Sequence, residues 1–428
     1  MEFQNYLIYG YVALFIAVLF VFILFSYYIS YFIASKKKDR KLKEATINYK
    51  YVVLIPARNE CKVINHIFKS LKDQTYPKDL FKVFVITERE NDKSNELALK
   101  YGFNYIVRKD LENKRTKGYA LKEGYDYLKA NNIEFDSIII FDADNRIDKD
   151  YIYELNKLKN EGHQIGVGKR LSTNVNTSFI SASSSLLFAF QSEFTNKART
   201  TLFNKFAISG TGYYIDKKII EDANGWNFLG LTEDVELTRY AYKTGIDMGY
   251  NPNAIFYDEQ PTDLITMHKQ HVRWIWGYFN KESFEFYKQA TKKYSKVPFL
   301  ARFEYALAMG LCIGVEFVFM IHLIYGFIMS MIAYSQGALY FGNLFLGLFF
   351  LDIFLMFLIC SIINDVELLI IRKKFTCSKK AKFYICTTGF IFWSDFLWAL
   401  LDGLIHPSKR KTWEKIRHKG QLDNTSEE

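Results

Sequence analysis

The sequence predicts an α/β domain with a mainly parallel, doubly wound sheet, inserted between apolar helices that are long enough to cross a membrane. Short apolar runs alternate with helix-like segments from residue 50 to residue 145, which is typical of parallel sheets. Long apolar segments stand at both ends of the 428 residues. The mean hydropathy of −0.07 therefore averages hydrophobic ends with a charged middle, which is long enough for one globular domain.

Charge and cysteine content indicate which classes of protein the sequence favours and which it excludes. The formal net charge is +10, and the basic residues cluster beside the apolar segments, which is typical of the cytoplasmic membrane face. We expect no nucleic-acid partner, because no recognised nucleic-acid-binding module accompanies the charge. The five cysteines include no CxxC pair, which favours reduced, structural cysteines in a cytosolic domain. The seven histidines show no metal-binding spacing.

The first apolar segment, residues 7–34, predicts a transmembrane helix. At about 1.5 Å per residue it exceeds a bilayer core of about 30 Å. The basic run at residues 36–41 follows this segment, whereas a signal peptide has its charges in front. The positive-inside rule places the N-terminus outside and residue 36 onward in the cytoplasm. We therefore predict a transmembrane helix over 1–35 and a basic cytoplasmic linker over 36–49.

Four apolar, β-branched runs predict the first strands of a domain over residues 50–262. The runs are 51–56, 81–87, 104–107 and 137–141, and helices are predicted between them over 59–74, with Asn59 as N-cap, 92–100 and 117–131. Ligands of such sheets bind beyond the carboxyl ends of the strands. The loops 57–60, 88–94 and 142–145 all stand at that edge and carry acidic residues. One such loop could be an ordinary turn, but three together predict a binding site.

Asp142 and Asp144 stand at the end of the fourth run. Two carboxylates in this arrangement can hold a hard divalent cation, Mg²⁺ or Mn²⁺, that neutralises a diphosphate. Further on, Thr232 can cap a helix over 233–243, which puts Asp234 in its first turn. There Asp234 could deprotonate an attacking hydroxyl group. The alternatives are an ordinary acidic turn and ordinary helix N-terminal charges.

Gln270, Arg273 and Trp274 are spaced i, i+3 and i+4, which puts them on one helix face. Arg273 could neutralise a departing diphosphate, Trp274 could stack on a sugar, and Gln270 could hydrogen-bond either group. The alternative is an amphipathic helix at the membrane surface, and we predict interfacial helices over 263–300. His268 and His271 are expected to be surface or packing residues.

Several motifs make the middle of the chain similar to a known family. Residues 56–60 match P-x-x-N-E, and Glu88 with Asp92 resembles D-x-x-x-D with Glu in place of the first Asp. Residues 117–121 resemble G-K-x-x-A-L with the first two residues transposed, and residues 209–212 resemble the segment near the acceptor sugar. Over about residues 50 to 280 the chain thus resembles family 2 glycosyltransferases of the GT-A fold. In detail it is similar to the membrane-embedded processive synthases of cellulose, hyaluronan and poly-N-acetylglucosamine.

The resemblance implies a division of roles. Asp234, with Glu233 beside it, would be catalytic, and Asp144 with Asp142 would bind Mg²⁺ or Mn²⁺. The residues implied in binding a UDP-sugar donor or the acceptor are Glu60, Glu88, Asp92, Lys117, Asp142, Gly210, Thr211, Gln270, Arg273 and Trp274. Glu88 departs from the family pattern, and its longer side chain implies a different geometry toward the uracil or ribose.

Residues 301–428 predict a membrane region with a basic tail. The candidate spans are 305–335, 338–363 and 385–405, and the basic clusters are 372–374, 379–380 and 409–419. All three clusters belong in the cytoplasm, yet a third span would leave the tail outside. Because Asp395 and Asp402 make the last candidate the least hydrophobic, we expect it to be re-entrant or interfacial, or another segment to be miscounted.

Three ionisable residues, Glu316, His322 and Asp352, lie inside apolar segments. Such residues are costly in lipid and should face a polar path or each other. They predict a passage for a growing polymer or, equally, an inter-helix hydrogen bond.

The leading hypothesis from the sequence is an inverting hexosyltransferase of the cell membrane with a cytoplasmic catalytic domain. It would elongate a β-linked polysaccharide from a UDP-sugar, with UDP-N-acetylglucosamine as the first candidate, and couple elongation to export. One alternative is a single transfer to a lipid or lipid-linked acceptor. Another, of a different class, is a non-catalytic transport or scaffold protein with a degenerate nucleotide-binding domain. Membrane lipids are expected partners throughout.

Overall fold

The computed structural model describes residues 3–36, 41–112, 114–278 and 299–411. Its central domain contains the strands β1 (Tyr51–Pro56), β2 (Phe81–Thr87), β3 (Asn104–Val107), β4 (Ser137–Ile140), β5 (Arg146–Ile147), β6 (Ile165–Ser172), β7 (Tyr213–Asp216) and β8 (Met248–Asp258). In the described part of the chain they form one eight-stranded sheet of order β3-β2-β1-β4-β7-β6-β8-β5.

The sheet is mostly parallel, as predicted. β1 pairs in parallel with β2 and β4, and β2 with β3. β6 and β8 are also parallel, whereas β7 and β5 run against their neighbours. Alternate residues of β1 enter two different cores: Val52 and Leu54 lie on one face, and Val53 and Ile55 on the other. Because both faces are covered, the strand reads as a continuous apolar run.

Helices flank both faces of the sheet and continue toward the membrane part. They are α1 (Phe3–Ser35), α2 (Ile64–Lys72), α3 (Lys93–Lys100), α4 (Lys117–Ala130), α5 (Tyr151–Asn160), α6 (Phe179–Phe190), α7 (Lys197–Phe203), α8 (Lys217–Asp222), α9 (Glu233–Thr244), α10 (Leu264–Tyr278), α11 (Phe299–Ser335), α12 (Leu339–Ile371) and α13 (Lys379–Ile405). A π-helical turn, Gln191–Asn196, joins α6 to α7. The remainder of the predicted interfacial segment after Tyr278, and the tail beyond Lys411, lie outside the described residues.

The first helix of the domain begins later than predicted. The prediction that Asn59 caps it was wrong, because α2 starts at Ile64 with Val63 at the N-cap. Asn59 instead adopts a left-handed backbone conformation with φ of 56°, which asparagine tolerates better than most residues. The other predicted helices and the first three strands agree with the structure to within one residue, and β4 ends at Ile140 rather than Phe141.

Four described helices are long and apolar enough to cross a membrane: α1, α11, α12 and α13. His322 of α11 joins three helices, since its Nδ1 lies 2.7 Å from Asp352 Oδ2 of α12 and its Nε2 donates to the Gly10 carbonyl of α1 at 2.7 Å. The side chains of His322 and Asp352 are both buried. This geometry favours the predicted inter-helix hydrogen bond over a polymer passage. The side chain of Glu316 lies outside the described residues.

The ends of two of these apolar helices contact the domain that contains the sheet. Arg199 of α7 donates to the hydroxyl of Tyr31, near the end of α1, at 3.3 Å. Lys374, just after α12, pairs with Glu193 in the π-helical turn, and Lys169 of β6 pairs with the same carboxylate at 2.7 Å. The basic segment 372–374 therefore lies beside the domain that contains the sheet.

Candidate active site

The three acidic loops meet at one edge of the sheet, as predicted from the parallel strands. Pro56 is in register with Ile86, and Leu54 with Ile140, so β1, β2 and β4 end at the same level. Asp92 ties the first two loops together. Its Oδ2 accepts the Asn59 N–H at 3.0 Å and its Oδ1 accepts the Ser94 N–H at 2.9 Å.

Glu88 lies in a cationic environment. Its Oε2 is 3.0 Å from Arg58 Nε, and its Oε1 is 4.0 Å from Arg108 Nη1. The side chain of Glu88 keeps 16% of its surface exposed. Glu60, in the loop after β1, is partly exposed, and its backbone carbonyl accepts the N–H groups of Val63 and Ile64 where α2 begins.

Lys117, at the start of α4, joins Asp142 after β4 to the carboxylates of α9. Its ammonium pairs with Asp142, donates to the Gly210 carbonyl at 2.7 Å, and lies 3.8 Å from Glu233 Oε1. Although burial opposes the charge, Asp142, Glu233 and Asp234 together raise the pKa of Lys117. The lysine therefore stays charged and bridges the two halves of the site.

The glycine after Lys117 is required by packing. A Cβ atom at Gly118 would lie 2.2 Å from the Phe228 carbonyl oxygen, a distance that heavy atoms do not tolerate. The Thr116 hydroxyl, one residue before α4, donates to the Leu229 carbonyl at 2.8 Å. The Lys-Gly order thus lets the start of α4 press against the segment before α9 and directs Lys117 into the site.

Asp142 and Asp144 lie in a loop that buried hydrogen bonds hold in place. The Asp142 N–H contacts Thr211 Oγ1 at 2.9 Å and Asn145 Oδ1 at 3.1 Å. The Asn145 amide donates to Asp144 Oδ1 at 3.1 Å. Thr211 and Asn145 are fully buried, whereas Asp142 and Asp144 are partly exposed. Thr211 and Asn145 are therefore placed to hold the loop, and the carboxylates of Asp142 and Asp144 are placed to meet a ligand.

Negative charge is concentrated around Asp144. Burial and the neighbouring carboxylates of Asp142 and Asp258 raise its pKa well above the usual range, while Arg170 opposes them. A divalent cation would relieve this repulsion, and carboxylate and amide oxygens suit Mg²⁺ or Mn²⁺. The residues thus fit such an ion, although the described residues contain no cluster of three or more Asp, Glu, His or Cys side chains around one position.

Glu233 and Asp234 open α9 and differ in exposure. Glu233 is 5% exposed, and burial raises its pKa to about 8, with Asp234 adding to the effect and Lys117 opposing it. Asp234 is partly exposed. Burial also raises its pKa, against the Val235 N–H, Lys117 and Arg273. Of the two carboxylates, Asp234 is the one that an acceptor could reach.

The segment 209–212 and α10 bring their residues to Asp234. Gly210 has a φ of 82°, and a Cβ atom there would lie 3.5 Å from Asp234 Oδ2. Arg273 is close enough to lower the pKa of Asp234 by its charge. Gln270, Arg273 and Trp274 are all partly exposed, whereas the intervening His271 and Val272 are buried. The three residues therefore share the predicted exposed face of α10, and the charge of Arg273 acts on the Asp234 carboxylate.

The prediction that Thr232 caps α9 with its hydroxyl was wrong. Thr232 occupies the N-cap position but its side chain makes no cap hydrogen bond. Its Oγ1 is buried and has no partner in the described part of the chain. A Cβ atom at Gly277 would lie 2.5 Å from Thr232 Cγ2. Packing of α9 against α10 thus determines the orientation of Thr232.

Sequence reasoning missed Arg170 and Asp258. The Arg170 guanidinium pairs with Asp258, donates to the Ser209 carbonyl at 2.8 Å, and lies 3.5 Å above the Phe188 ring. The Phe188 ring in turn meets Trp274 edge to face at 5.8 Å. This chain of contacts links the Asp144 region to Trp274. Asp258 ends a strand before Pro261, a signal that could have identified it, whereas Arg170 has no local signal.

His268 and His271 attach α10 to α13. Asp395 accepts from both, with Nδ1 distances of 2.8 Å to His268 and 2.7 Å to His271, and His268 Nε2 lies 3.1 Å from Asp402. The His271 ring also stacks on Phe396 at 3.9 Å. The two histidines are thus packing residues, as expected, but their polar partners are the acidic residues of the last apolar helix.

Comparison with known families gives one match over most of this site. The family model described as "Glycosyltransferase like family 2" matches residues 49–277, more than half of the chain. The range includes every residue proposed above for the donor, the metal ion, the base and the acceptor.

Curated relatives and a solved structure are similar over different lengths. "Probable glycosyltransferase YdaM" of Bacillus subtilis is 27% identical over 53% of this chain and 55% of its own length. "Beta-monoglucosyldiacylglycerol synthase" of Nostoc sp. is 25% identical over 54% of this chain and 49% of its own. The chain thus spans about half the length of the curated relatives it matches. The structure of "Mannosyltransferase PcManGT from Pyrobaculum calidifontis in complex with GDP-Man and Mn2+" aligns with a TM-score of 0.58 at 14% identity, over 91% of this chain and 98% of that one, and supports the GT-A fold.

Proposed function

The chain belongs to the glycosyltransferase family 2-like proteins, and we propose that it is an inverting hexosyltransferase that uses a UDP-sugar at the cytoplasmic face of the cell membrane. The observation that carries this proposal is the placement of Asp234. Its Oδ2 lies beside Gly210 and within the influence of Lys117 and Arg273. Lys117 pairs with Asp142 and lies 3.8 Å from Glu233, the neighbour of Asp234, so the proposed base and the proposed diphosphate-binding edge are adjacent.

The donor would bind at the carboxyl edge of the sheet. Glu60, Glu88 and Asp92 lie in the loops placed to meet the nucleoside. Asp144 and Asp142 would hold Mg²⁺ or Mn²⁺, which would supply positive charge to neutralise the diphosphate. Lys117 and Arg273 supply further positive charge on the other side of the diphosphate. The solved structure of PcManGT is described with Mn²⁺, which supports a metal ion in a related fold.

Asp234 would accept the proton of the acceptor hydroxyl group as its oxygen attacks the anomeric carbon. The bond from that carbon to the diphosphate oxygen breaks, and the UDP leaves with the bonding pair. Attack from the face opposite the leaving group inverts the configuration, so an α-linked donor yields a β-linked product. Trp274 supplies a flat apolar surface for the acceptor sugar, and Gln270 a hydrogen-bonding amide.

We favour elongation of a β-linked polysaccharide, with UDP-N-acetylglucosamine as the first donor to test. Support comes from α10, which carries Gln270, Arg273 and Trp274 and packs directly on the membrane-associated helix α13. A product bound at Trp274 would lie close to the bilayer, where it could be retained between transfers and then exported.

A single transfer to a lipid acceptor is the second candidate. The relatives named beta-monoglucosyldiacylglycerol synthases favour it. So does the pairing of His322 with Asp352 and the Gly10 carbonyl, because these groups join helices instead of lining a polar path. A non-catalytic transport or scaffold role would leave the arrangement around Asp234 without a use.

Product size separates these candidates. Purified protein in lipid nanodiscs would receive one radiolabelled UDP-sugar at a time, with Mn²⁺ and with or without diacylglycerol. Polysaccharide elongation predicts labelled products of many sugars that form without added lipid. Products with a single sugar that partition into organic solvent would reject elongation and support the lipid acceptor. If no donor gave more UDP release than the Asp234→Asn variant, catalysis would be rejected altogether.

A further inference from the structure

Helix α13 contacts the catalytic domain along its whole length. In its first half, Ala381 and Ile385 pack with Ala182 and Leu186 of α6. Just before it, the Ser378 N–H donates to Asn176 Oδ1 at 2.8 Å. In its second half, Asp395 and Asp402 bind the histidines of α10, and Ala399 packs with Val272 and Ile275. A helix perpendicular to a membrane could not have both halves beside a domain on one side of that membrane.

The contact between α12 and α13 indicates the depth of α13 in the bilayer. The hairpin between α11 and α12 turns at residues 336–338, away from the catalytic domain. From Leu339 to Phe357, α12 rises about 27 Å at 1.5 Å per residue, nearly the whole bilayer core of about 30 Å. The Phe357 ring meets Phe390 of α13 at 4.8 Å. The middle of α13 therefore lies at the catalytic-domain boundary of the core, and its residues after Phe390 continue along α10 instead of returning through the core.

One face of α13 is mostly apolar and is exposed or partly exposed along its length. Phe383 is 64%, Trp398 66% and Ile405 69% exposed. The residues of this stripe follow one another at intervals of three or four, as on one side of a helix; they are Phe383, Thr387, Ile391, Ser394, Trp398, Leu401 and Ile405. The opposite face, which includes Ala381, Ile385, Gly389 and Ala399, is buried against protein.

Both ends of α13 carry positive charge. Lys379, Lys380 and Lys382 stand in its first turn, and Lys409 follows its last turn. A spanning helix would separate these groups by the membrane. A helix parallel to the membrane puts them all at one surface, where anionic lipid headgroups attract lysines at about 1 kcal/mol each.

We propose that α13 is a membrane-surface helix that lies in the bilayer plane on the catalytic-domain side, with the stripe from Phe383 to Ile405 inserted into the boundary between headgroups and acyl chains. Its partner is the lipid bilayer itself. Among the described helices, α1, α11 and α12 then remain to span the membrane. Lys409, just after α13, then falls on the same side as the catalytic domain, which removes the charge conflict at the start of the basic tail. The histidine–aspartate contacts attach α10, and with it Trp274, to a helix embedded in the lipid surface.

Nitroxide depth measurements test this orientation. In a protein whose natural cysteines are replaced, single probes at Phe383→Cys, Ile391→Cys, Trp398→Cys and Ile405→Cys would be compared in phosphatidylcholine–phosphatidylglycerol vesicles. We expect one common depth, about 5–10 Å below the headgroups. A spanning helix would instead spread positions 383 and 405 over about 33 Å. Probes at the exposed residues Tyr340, Phe350 and Phe354 of α12 form the control series and should show such a gradient.

A gradient along α13 equal to that of α12 would overturn the proposal. So would probes on the stripe that are shielded from both oxygen and aqueous relaxers, since a second copy or another protein would then cover this face. A side assignment provides an independent check. Ser408→Cys, Asn131→Cys in the catalytic domain and Gln336→Cys in the hairpin are all at exposed positions. An impermeant maleimide should label Ser408→Cys from the same side as Asn131→Cys, and labelling together with Gln336→Cys would reject the proposal.

Discussion

The carboxylates proposed for the donor side and those proposed for the acceptor side differ in how close their cations lie, since Lys117 pairs directly with Asp142 but lies 3.8 Å from Glu233. Asp142 and Glu88 meet Lys117 and Arg58 directly. Glu233 is almost fully buried, and the pKa values of Glu233 and Asp234 are both raised by burial. Under the proposed function, the donor side would exchange a lysine or arginine contact for a metal ion and a diphosphate. The acceptor side would take up a proton, because desolvation makes a carboxylate a stronger base.

The largest expected effect comes from removing the base. Asp234→Asn should lower the rate of sugar transfer by on the order of 10³-fold, because the amide cannot accept the hydroxyl proton. Binding of UDP should be almost unchanged. Transfer rates and UDP titration calorimetry would be compared with Asp247→Asn, a substitution at an exposed position. Unchanged transfer in Asp234→Asn would show that this residue is not the base. It would also remove the proposed difference in function between the donor side and the acceptor side.

Removal of the metal ion should impair only the proposed role of the donor side. A chelator, or Asp144→Asn, should reduce activity more than about 10²-fold, because the ion contributes several kcal/mol of charge stabilisation. Direct Mn²⁺ binding, read from its free-ion resonance signal, should weaken in Asp144→Asn and persist in Asp234→Asn. Full activity without divalent ions would contradict the metal assignment.

The pH dependence should report the raised pKa values on the acceptor side. Asp234 must be ionised to act as the base, so activity should appear as pH rises through its raised pKa and disappear below it. Glu233 and Asp234 titrate together, with the pKa of Glu233 at about 8. In Lys117→Met the acidic limb should move to higher pH, because Lys117 opposes both shifts. Rates at saturating donor from pH 5 to 9 would show this, and a limb near pH 4 in both proteins would refute it.

A smaller effect should follow from loosening α10. Asp395→Asn replaces one of the two carboxylate oxygens that accept from His268 and His271. Trp274 should therefore lose its orientation, and kcat/KM for the acceptor should fall about 5- to 20-fold. The KM for the donor should stay constant, since the donor side does not depend on α13. Ser394→Ala, at the neighbouring position, is the matched control. Equal changes in both KM values would indicate general loss of structure instead of a positioning role.

The smallest expected effect concerns Glu88. Glu88→Asp restores the residue typical of the resembled family but shortens the reach to Arg58 and Arg108. Because a partly exposed ion pair contributes little, activity should change by less than about fivefold and through the KM for the donor. A larger loss in kcat would show that this arginine pairing is part of the catalytic arrangement.

Much of the site could be anticipated because it follows strand ends. The positions of Asp142, Asp144 and Glu88 depend on local apolar runs and on the rule that parallel strands end at one edge. The grouping of Asp234 with Arg273 was expected only from family resemblance, since α9 and α10 are separated by β8. Arg170 and Asp258 were missed because their contact joins β6 to β8 across residues distant in the chain.

The sequence by itself determined the strand and helix periodicity, the apolar segments and the acidic strand ends, since each is a property of neighbouring residues. Tertiary structure alone decided what these groups do. It placed Lys117 between Asp142 and Glu233, turned the Thr232 side chain away from a cap toward Gly277, and paired the aspartates of α13 with the histidines of α10. The physical reason is that a buried charge requires a partner, and the fold decides which distant residue supplies it.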